Sequence, residues 1–171
     1  STYYEYEAFK NCKTLSTVLF QVNSYISAND GSIFAGCKNL TTFEVDENHQ
    51  EYKFNNNLLT SKDDKVIYLA PYGYNFGEYT IDECYETIAE GAFSGVGSLK
   101  KLIINHKLVI GKNAFEGCHG LVSVSLPSES IEILDYAFYR CGSLNEVINL
   151  DSIKVFNEYV FCRYSFIVRG I

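Results

Sequence analysis

The chain has 171 residues, of which 47% are hydrophobic and 20% charged, and it carries a formal net charge of -7 with a pI near 4.9. That size and balance suit one folded domain with a real core and exclude an intrinsically disordered segment. An acidic chain without a basic run also excludes a nucleic-acid groove or an anionic membrane surface as a partner, because both need clustered Lys and Arg.

In chain order, the first organising feature is Ala8-Phe9, followed by Leu15, Val18 and Phe20. Apolar residues at spacing two predict a short strand. The same series returns at Ile33-Phe34 with Leu40, Phe43 and Val45. It returns again at Ala92-Phe93, Ala114-Phe115, Ala137-Phe138 and Val160-Phe161, where the four phenylalanines recur at a nearly constant spacing. Six residues after the first five of these phenylalanines stand Leu15, Leu40, Leu99, Leu121 and Leu144, and five before the last four stand Ile88, Ile110, Ile133 and Phe156. A fixed period of this kind predicts a solenoid, in which each unit buries its apolar edge against its neighbours. The predicted domain is a single array over 1–171 of about six turns, with incomplete repeats at both ends.

One interval departs from the period, the long stretch from Phe34 to Phe93. Within the irregular segment 46–87, Leu58-Leu59-Thr60 and Val66-Ile67-Tyr68-Leu69 flank the polar run from Ser61 to Lys65, which predicts a hairpin. Tyr79-Thr80-Ile81 and Ile88 then rejoin the pattern. Two readings stay open: a degenerate pair of turns that keep stacking, or a break that bends or splits the array.

No stretch reaches the roughly 18 to 20 apolar residues of a membrane-spanning helix, and no basic start followed by an apolar run marks a signal peptide. The chain contains no Met, and Ser1 falls inside a repeat. A piece of a longer protein is therefore expected, with targeting signals, anchors and caps elsewhere.

The run Ile110-Gly-Lys-Asn-Ala-Phe-Glu-Gly-Cys118 with Leu121-Val-Ser-Val-Ser-Leu-Pro127, and Ala137-Phe-Tyr-Arg-Cys-Gly-Ser-Leu144, resemble the BspA-like leucine-rich repeats of the Treponema type. The irregular segment is also similar to that family, through Asn57-Leu-Leu-Thr-Ser-Lys-Asp63 and Val66-Ile-Tyr-Leu-Ala-Pro71. Departures are Val96 in a Cys column and Asn149 in place of an apolar strand residue. The resemblance implies an α/β repeat solenoid: a curved right-handed leucine-rich repeat array with short parallel strands on the concave side and Ala-Phe turns on the convex side. It also implies a cell-surface or secreted protein that adheres to host or matrix proteins.

Cys12, Cys37, Cys118 and Cys141 each lie three residues after a Phe, where Val96 stands once. A disulfide or metal ligand does not tolerate Val, whereas a small buried apolar position does, so a reduced structural column is expected. Cys84 and Cys162 lie off the column. The absence of any Cys-x-x-Cys pair leaves no sequence basis for zinc or thioredoxin-type chemistry. Cys118-His119 juxtaposes a nucleophile and a base, but neighbours on a turn point apart, so His119 is expected at the surface. His49 and His106 belong to no constellation, and Asp46-Glu47 and Asp63-Asp64 lack the alternating spacing of a calcium loop. No catalytic set, metal site or cofactor is predicted. Asn39-Leu40-Thr41 is a glycosylation sequon on a turn.

The outward residues between the apolar columns are Thr17 and Leu19, Thr42 and Glu44, Lys101 and Ile103, Ser123 and Ser125, and Glu146 and Ile148. They predict a concave strip that binds a protein through apolar anchors in a polar setting. Tyrosine clusters such as Tyr68, Tyr72, Tyr74 and Tyr79 in the irregular segment suit either recognition or covering of the hairpin, and nothing singles out the Tyr72-Gly73-Tyr74 turn for carbohydrate. The alternative to a binding module is a scaffold that associates with its own kind through solenoid faces and strand edges.

Overall fold

The computed structural model describes residues 2–3, 9–26, 33–155 and 157–161. Ala8, Phe156 and Cys162, which figure in the repeat and cysteine readings, lie outside the described residues.

Among the described residues fourteen short strands follow one another: β1 (Thr2–Tyr3), β2 (Thr17–Phe20), β3 (Ser24–Tyr25), β4 (Thr42–Val45), β5 (Tyr52–Asn55), β6 (Leu58–Ser61), β7 (Val66–Leu69), β8 (Gly77–Thr80), β9 (Thr87–Ile88), β10 (Leu99–Ile103), β11 (Val109–Ile110), β12 (Ser123–Ser125), β13 (Glu132–Ile133) and β14 (Glu146–Ile148). They form a β-solenoid. One parallel ladder runs β8-β10-β12-β14, and a second runs β7-β9-β11-β13 and is extended antiparallel by β6 and β5. Nearer the N terminus the corresponding ladders are the two-stranded pairs β2-β4 and β1-β3.

The α/β expectation is corrected: among the described residues the single helical element is a 3-10 turn at Leu150–Ser152. The lack of helix in the turns has a local cause. Two residues before the Phe stand Gly91, Asn113, Tyr136 and Tyr159, and two after it stand Asn11, Gly36, Gly95, Gly117 and Arg140, all with φ between +49° and +79°. Left-handed residues four apart, one on each side of the Phe, end any right-handed helical run in that turn before it can nucleate. The chain instead makes successive tight turns, such as Ala92 N to Ala89 O at 3.2 Å and Val96 N to Phe93 O at 3.0 Å.

Backbone hydrogen bonds between turns set the register. Phe93 N donates to Ala114 O, Phe115 N to Ala137 O and Phe138 N to Val160 O, at 2.7, 2.8 and 2.8 Å. Ala70 N donates to Ala92 O at 2.7 Å in the same manner. Ala70 therefore occupies a Phe position, one period before Phe93. The long interval contains one stacked turn that has lost its ring, preceded by an inserted hairpin. Phe76 and Tyr79 pack against Phe93 from this turn, with centroids at 5.6 and 6.3 Å. The predicted β6-β7 hairpin is present, and β5 adds a third strand through Asn56 and Asn57, both at positive φ as a two-residue hairpin turn requires.

Two apolar clusters result. The larger holds the repeated Phe, Leu, Ile, Val and Cys columns from Leu58 to Val160. In it, Phe93, Phe115, Phe138 and Phe161 stack face to face at 4.9, 5.1 and 5.4 Å with interplanar angles of 19°, 2° and 10°. The smaller surrounds Phe20, Phe34, Phe43, Tyr52, Leu59 and Leu69. Residues 70–74 join the two regions. Gly73 N donates to Leu40 O at 2.7 Å, and a Cβ on Gly73 would sit 2.3 Å from Lys38 O.

Candidate interaction surface

The inward residues of β10, β12 and β14 are Leu102, Val124 and Val147, all buried, so alternation turns the intervening side chains outward. The register places Glu78, Lys101, Ser123 and Glu146 in one row across four strands, and Thr80, Ile103, Ser125 and Ile148 in the next. Thr17 pairs with Thr42 and Leu19 with Glu44 in the separate β2-β4 sheet. The ten predicted strip residues are thus all half-buried or exposed, six on the β8-β10-β12-β14 sheet and four on the β2-β4 sheet. In sequence β5 to β7 lie between β4 and β8. On the four-stranded sheet Lys101 Nζ lies 3.4 Å from Glu78 Oε2, a solvent-exposed pair, and Ile148 and Val122 are exposed beside Glu146 and Ser123.

Glu78 and Thr80 escaped the sequence reading because the irregular segment was aligned on phenylalanine rings. Stepping back one period from Lys101 and Ile103, as from Phe93 to Ala70, reaches both.

The polar side chains of the turns are occupied by the fold. Cys37 Sγ donates to Phe9 O at 2.9 Å, Cys118 Sγ to Phe93 O at 3.1 Å and Cys141 Sγ to Phe115 O at 3.2 Å. Each thiol is a rung to the Phe carbonyl of the preceding turn, and Val96 takes that place above the ring-less Ala70 turn. Burial pushes the Cys118 thiol well up, and burial likewise raises Cys37, so both are held as protonated donors. A second column repeats the device: Asn39 Nδ2 donates to Lys13 O, Ser98 Oγ to Tyr74 O and Ser143 Oγ to His119 O, each at 2.6 Å. The sequon amide is therefore a structural donor. Asn149, which breaks the apolar column, adopts φ 59° and donates to Leu126 O at 2.9 Å.

Cys118 is buried while His119 is exposed, so the adjacent pair does not converge. His49 is buried, with Nε2 2.8 Å from Ser24 O and Nδ1 accepting from the Glu51 and Tyr52 amides at 3.2 and 3.0 Å. This pattern fits the neutral ring protonated on Nε2. The Tyr72 ring lies over Gly95 while Gly73 abuts Lys38, making that turn a joint between regions rather than an open aromatic platform. Tyr79 Oη donates to Asn56 O at 3.3 Å, tying the β5-β6 turn to the solenoid. Burial, then Tyr74 and Asp82, pushes its phenol up to about 12. Among the described residues no three His, Cys, Asp or Glu side chains are grouped to hold a metal, and no helix is long and apolar enough to cross a membrane.

The sequence profile of the BspA type leucine rich repeat region matches residues 1–64 and 70–168, in six copies. The chain belongs to this leucine-rich repeat family. The unmatched residues 65–69 nearly coincide with β7, where the hairpin meets the ring-less turn. No curated protein sequence matches the chain. Among solved structures, the pneumococcal vaccine antigen PcpA is similar, with a TM-score of 0.53 and 18% identity over 84% of this chain and 47% of that one. A leucine-rich repeat protein from Bacteroides ovatus is similar with a TM-score of 0.50 and 21% identity over 91% of this chain and 42% of that one. The chain spans less than half the length of each. These likenesses concern the fold.

Proposed function

We propose that this repeat array is a non-enzymatic protein-binding module of a cell-surface or secreted protein, acting through the outward rows of the β8-β10-β12-β14 ladder toward a host or matrix protein. The observation that carries the reading is the division of labour along those strands. The inward side chains of β10, β12 and β14 are apolar and buried, while the outward ones of the ladder differ from turn to turn and include the exposed Ile148 and the half-buried Ile103 in a polar setting. In this reading 1–171 is one curved array of about six turns, the ladder lines its concave side, and the Ala-Phe turns lie on the convex side. Cofactors, metals and nucleic acid play no part, and Asn39 serves the fold rather than a glycan. Thr17, Leu19, Thr42 and Glu44 form a second, smaller contact patch.

The test is binding of the purified chain to immobilised host matrix and surface proteins, compared with Ile103→Asp and Ile148→Asp variants. Loss of a specific interaction by about tenfold or more in either variant, with the fold intact, supports the ladder face. Unchanged binding moves the site elsewhere, and concentration-dependent association in light scattering, abolished by the same variants, favours the self-associating scaffold.

A further inference from the structure

We propose that the corner formed by Tyr136, Tyr139 and Tyr159, flanked by Asp135 and Glu158, is a docking site for an Arg or Lys side chain presented by a partner protein. It lies in the turn segments around Phe138 and Phe161 rather than in the strand rows, so it stands or falls apart from the ladder reading. The first observation is backbone conformation. Tyr136, Tyr159 and Arg140 have φ of 59°, 49° and 57° in columns that Gly91 and Asn113, or Gly95 and Gly117, fill in earlier turns. A bulky side chain in the left-handed region is disfavoured by its Cβ, and such strain concentrates at functional positions. The fold itself asks only for Gly or Asn there.

The second observation is the surface this creates. The Tyr136 and Tyr159 rings stack at 5.4 Å and 17°, Tyr139 meets Tyr136 edge-on at 5.5 Å, and Tyr159 is 51% exposed. The Asp135 carboxylate is held beside them by accepting Glu158 N at Oδ1 at 2.9 Å, and Tyr136 N donates to the Glu158 backbone carbonyl at 2.9 Å, which keeps the two turns in register. Partial desolvation, then the Glu158 and Asp135 carboxylates among its neighbours, raises the Tyr136 phenol. The third observation is an internal precedent. The Arg140 guanidinium carbon already lies 5.2 Å from the Tyr139 ring centroid, so a cation occupies one ring of this corner in the free chain. Aromatic faces bordered by carboxylates attract cations, and Tyr is well suited to such contacts at interfaces.

The test is calorimetric titration with an Arg-Gly repeat peptide and with its uncharged citrulline counterpart. Tyr159→Asn leaves net charge unchanged, so general attraction to an acidic chain is preserved in the comparison. The expected result is about a fivefold loss of affinity for the Arg peptide in Tyr159→Asn and Tyr159→Leu, retention in Tyr159→Phe, and a melting temperature of Tyr159→Asn equal to or above that of the parent. Arg140→Gly is expected to tighten binding more than Lys112→Gln, which changes the net charge equally. Equal affinity for Arg and citrulline peptides overturns the proposal, as does full binding by Tyr159→Leu. A clear loss of stability in Tyr159→Asn overturns it too, because the ring would then be a structural member of the stack.

Discussion

The two apolar clusters achieve burial by different means. From Phe93 to Phe161 the same ring is laid on itself turn after turn, nearly parallel, and each turn repeats its contacts with the one before. In the smaller cluster Phe9 still stacks on Phe34 at 21°, but the other rings are mixed in kind and orientation: Phe20 meets Phe43 at 74° and Tyr52 at 85°, and Phe43 meets Phe54 at 88°. The first region is a one-dimensional stack whose members are interchangeable in shape. The second is closer to an ordinary globular core, in which each ring has its own neighbours and the hairpin supplies part of the lining. Regular stacking fixes register through repetition, while the mixed core leaves room for an insertion.

The largest expected effect separates the two directly. Phe115→Ala removes the middle of the stack and is expected to cost about 4 kcal/mol in denaturant unfolding. Hydrogen exchange should accelerate around β9 to β14 while β2 and β4 keep their protection; uniform acceleration would show a single cooperative core. Next comes Gly73→Ala, whose Cβ would meet the Lys38 carbonyl at 2.3 Å. A cost of about 2 to 3 kcal/mol and a split or broadened thermal transition are expected, since the joint has no room for a side chain. One sharp transition at the parental temperature would show that the joint is slack.

Smaller effects test the chemistry inside each region. Cys118→Ser is expected to destabilise by about 1 to 2 kcal/mol, and Cys118→Val by less, because Val already stands in that column at Val96. Native thiol titration should modify the exposed Cys84 while Cys37, Cys118 and Cys141 react only on unfolding. For Tyr79, the fold favours the protonated phenol, so its contribution is complete below the ordinary value of 10 and disappears as pH climbs towards 12. Tyrosinate absorbance and melting temperature followed together should show the loss, of about 1 kcal/mol after allowance for solvent screening, and Tyr79→Phe should abolish that component. Least of all, a double-mutant cycle on Glu78 and Lys101 should give a coupling of about 0.5 kcal/mol or less, as exposed pairs do. A larger value would mean that the outward row rigidifies the ladder.

The stacked region was legible in the sequence because its period is written in side chains: Phe115, Cys118, Leu121 and Val124 recur in register, and the structure puts all four in the core. Tyr52 to Asn55 was not, since its partner strand is found through a turn of Asn56 and Asn57 rather than through any repeat. Ala70 was missed for a physical reason. Hydrogen bonding to Ala92 defines its place, and that bond needs no ring. The outward residues of β8 went unseen with it. The helical element expected from the family resemblance gave way to turns because the recurring left-handed residues forbid it. Tyr136, Arg140 and Tyr159 carry no sign of positive φ in their own chemistry; only alignment with Gly91, Gly95 and Gly117 gives it.

The thiol rungs bear on how such a chain can be rearranged. Because Cys118 and Cys141 each address the carbonyl of the turn beneath them, a unit carries half of a contact whose other half belongs to its predecessor. Val96 follows the Ala70 turn, which offers alanine in the ring position. Adjacent units are therefore matched pairs, and recombination that exchanges single turns would break two junctions at once. Exchange of whole blocks, cut beside the Tyr72-Gly73 joint, would break only one.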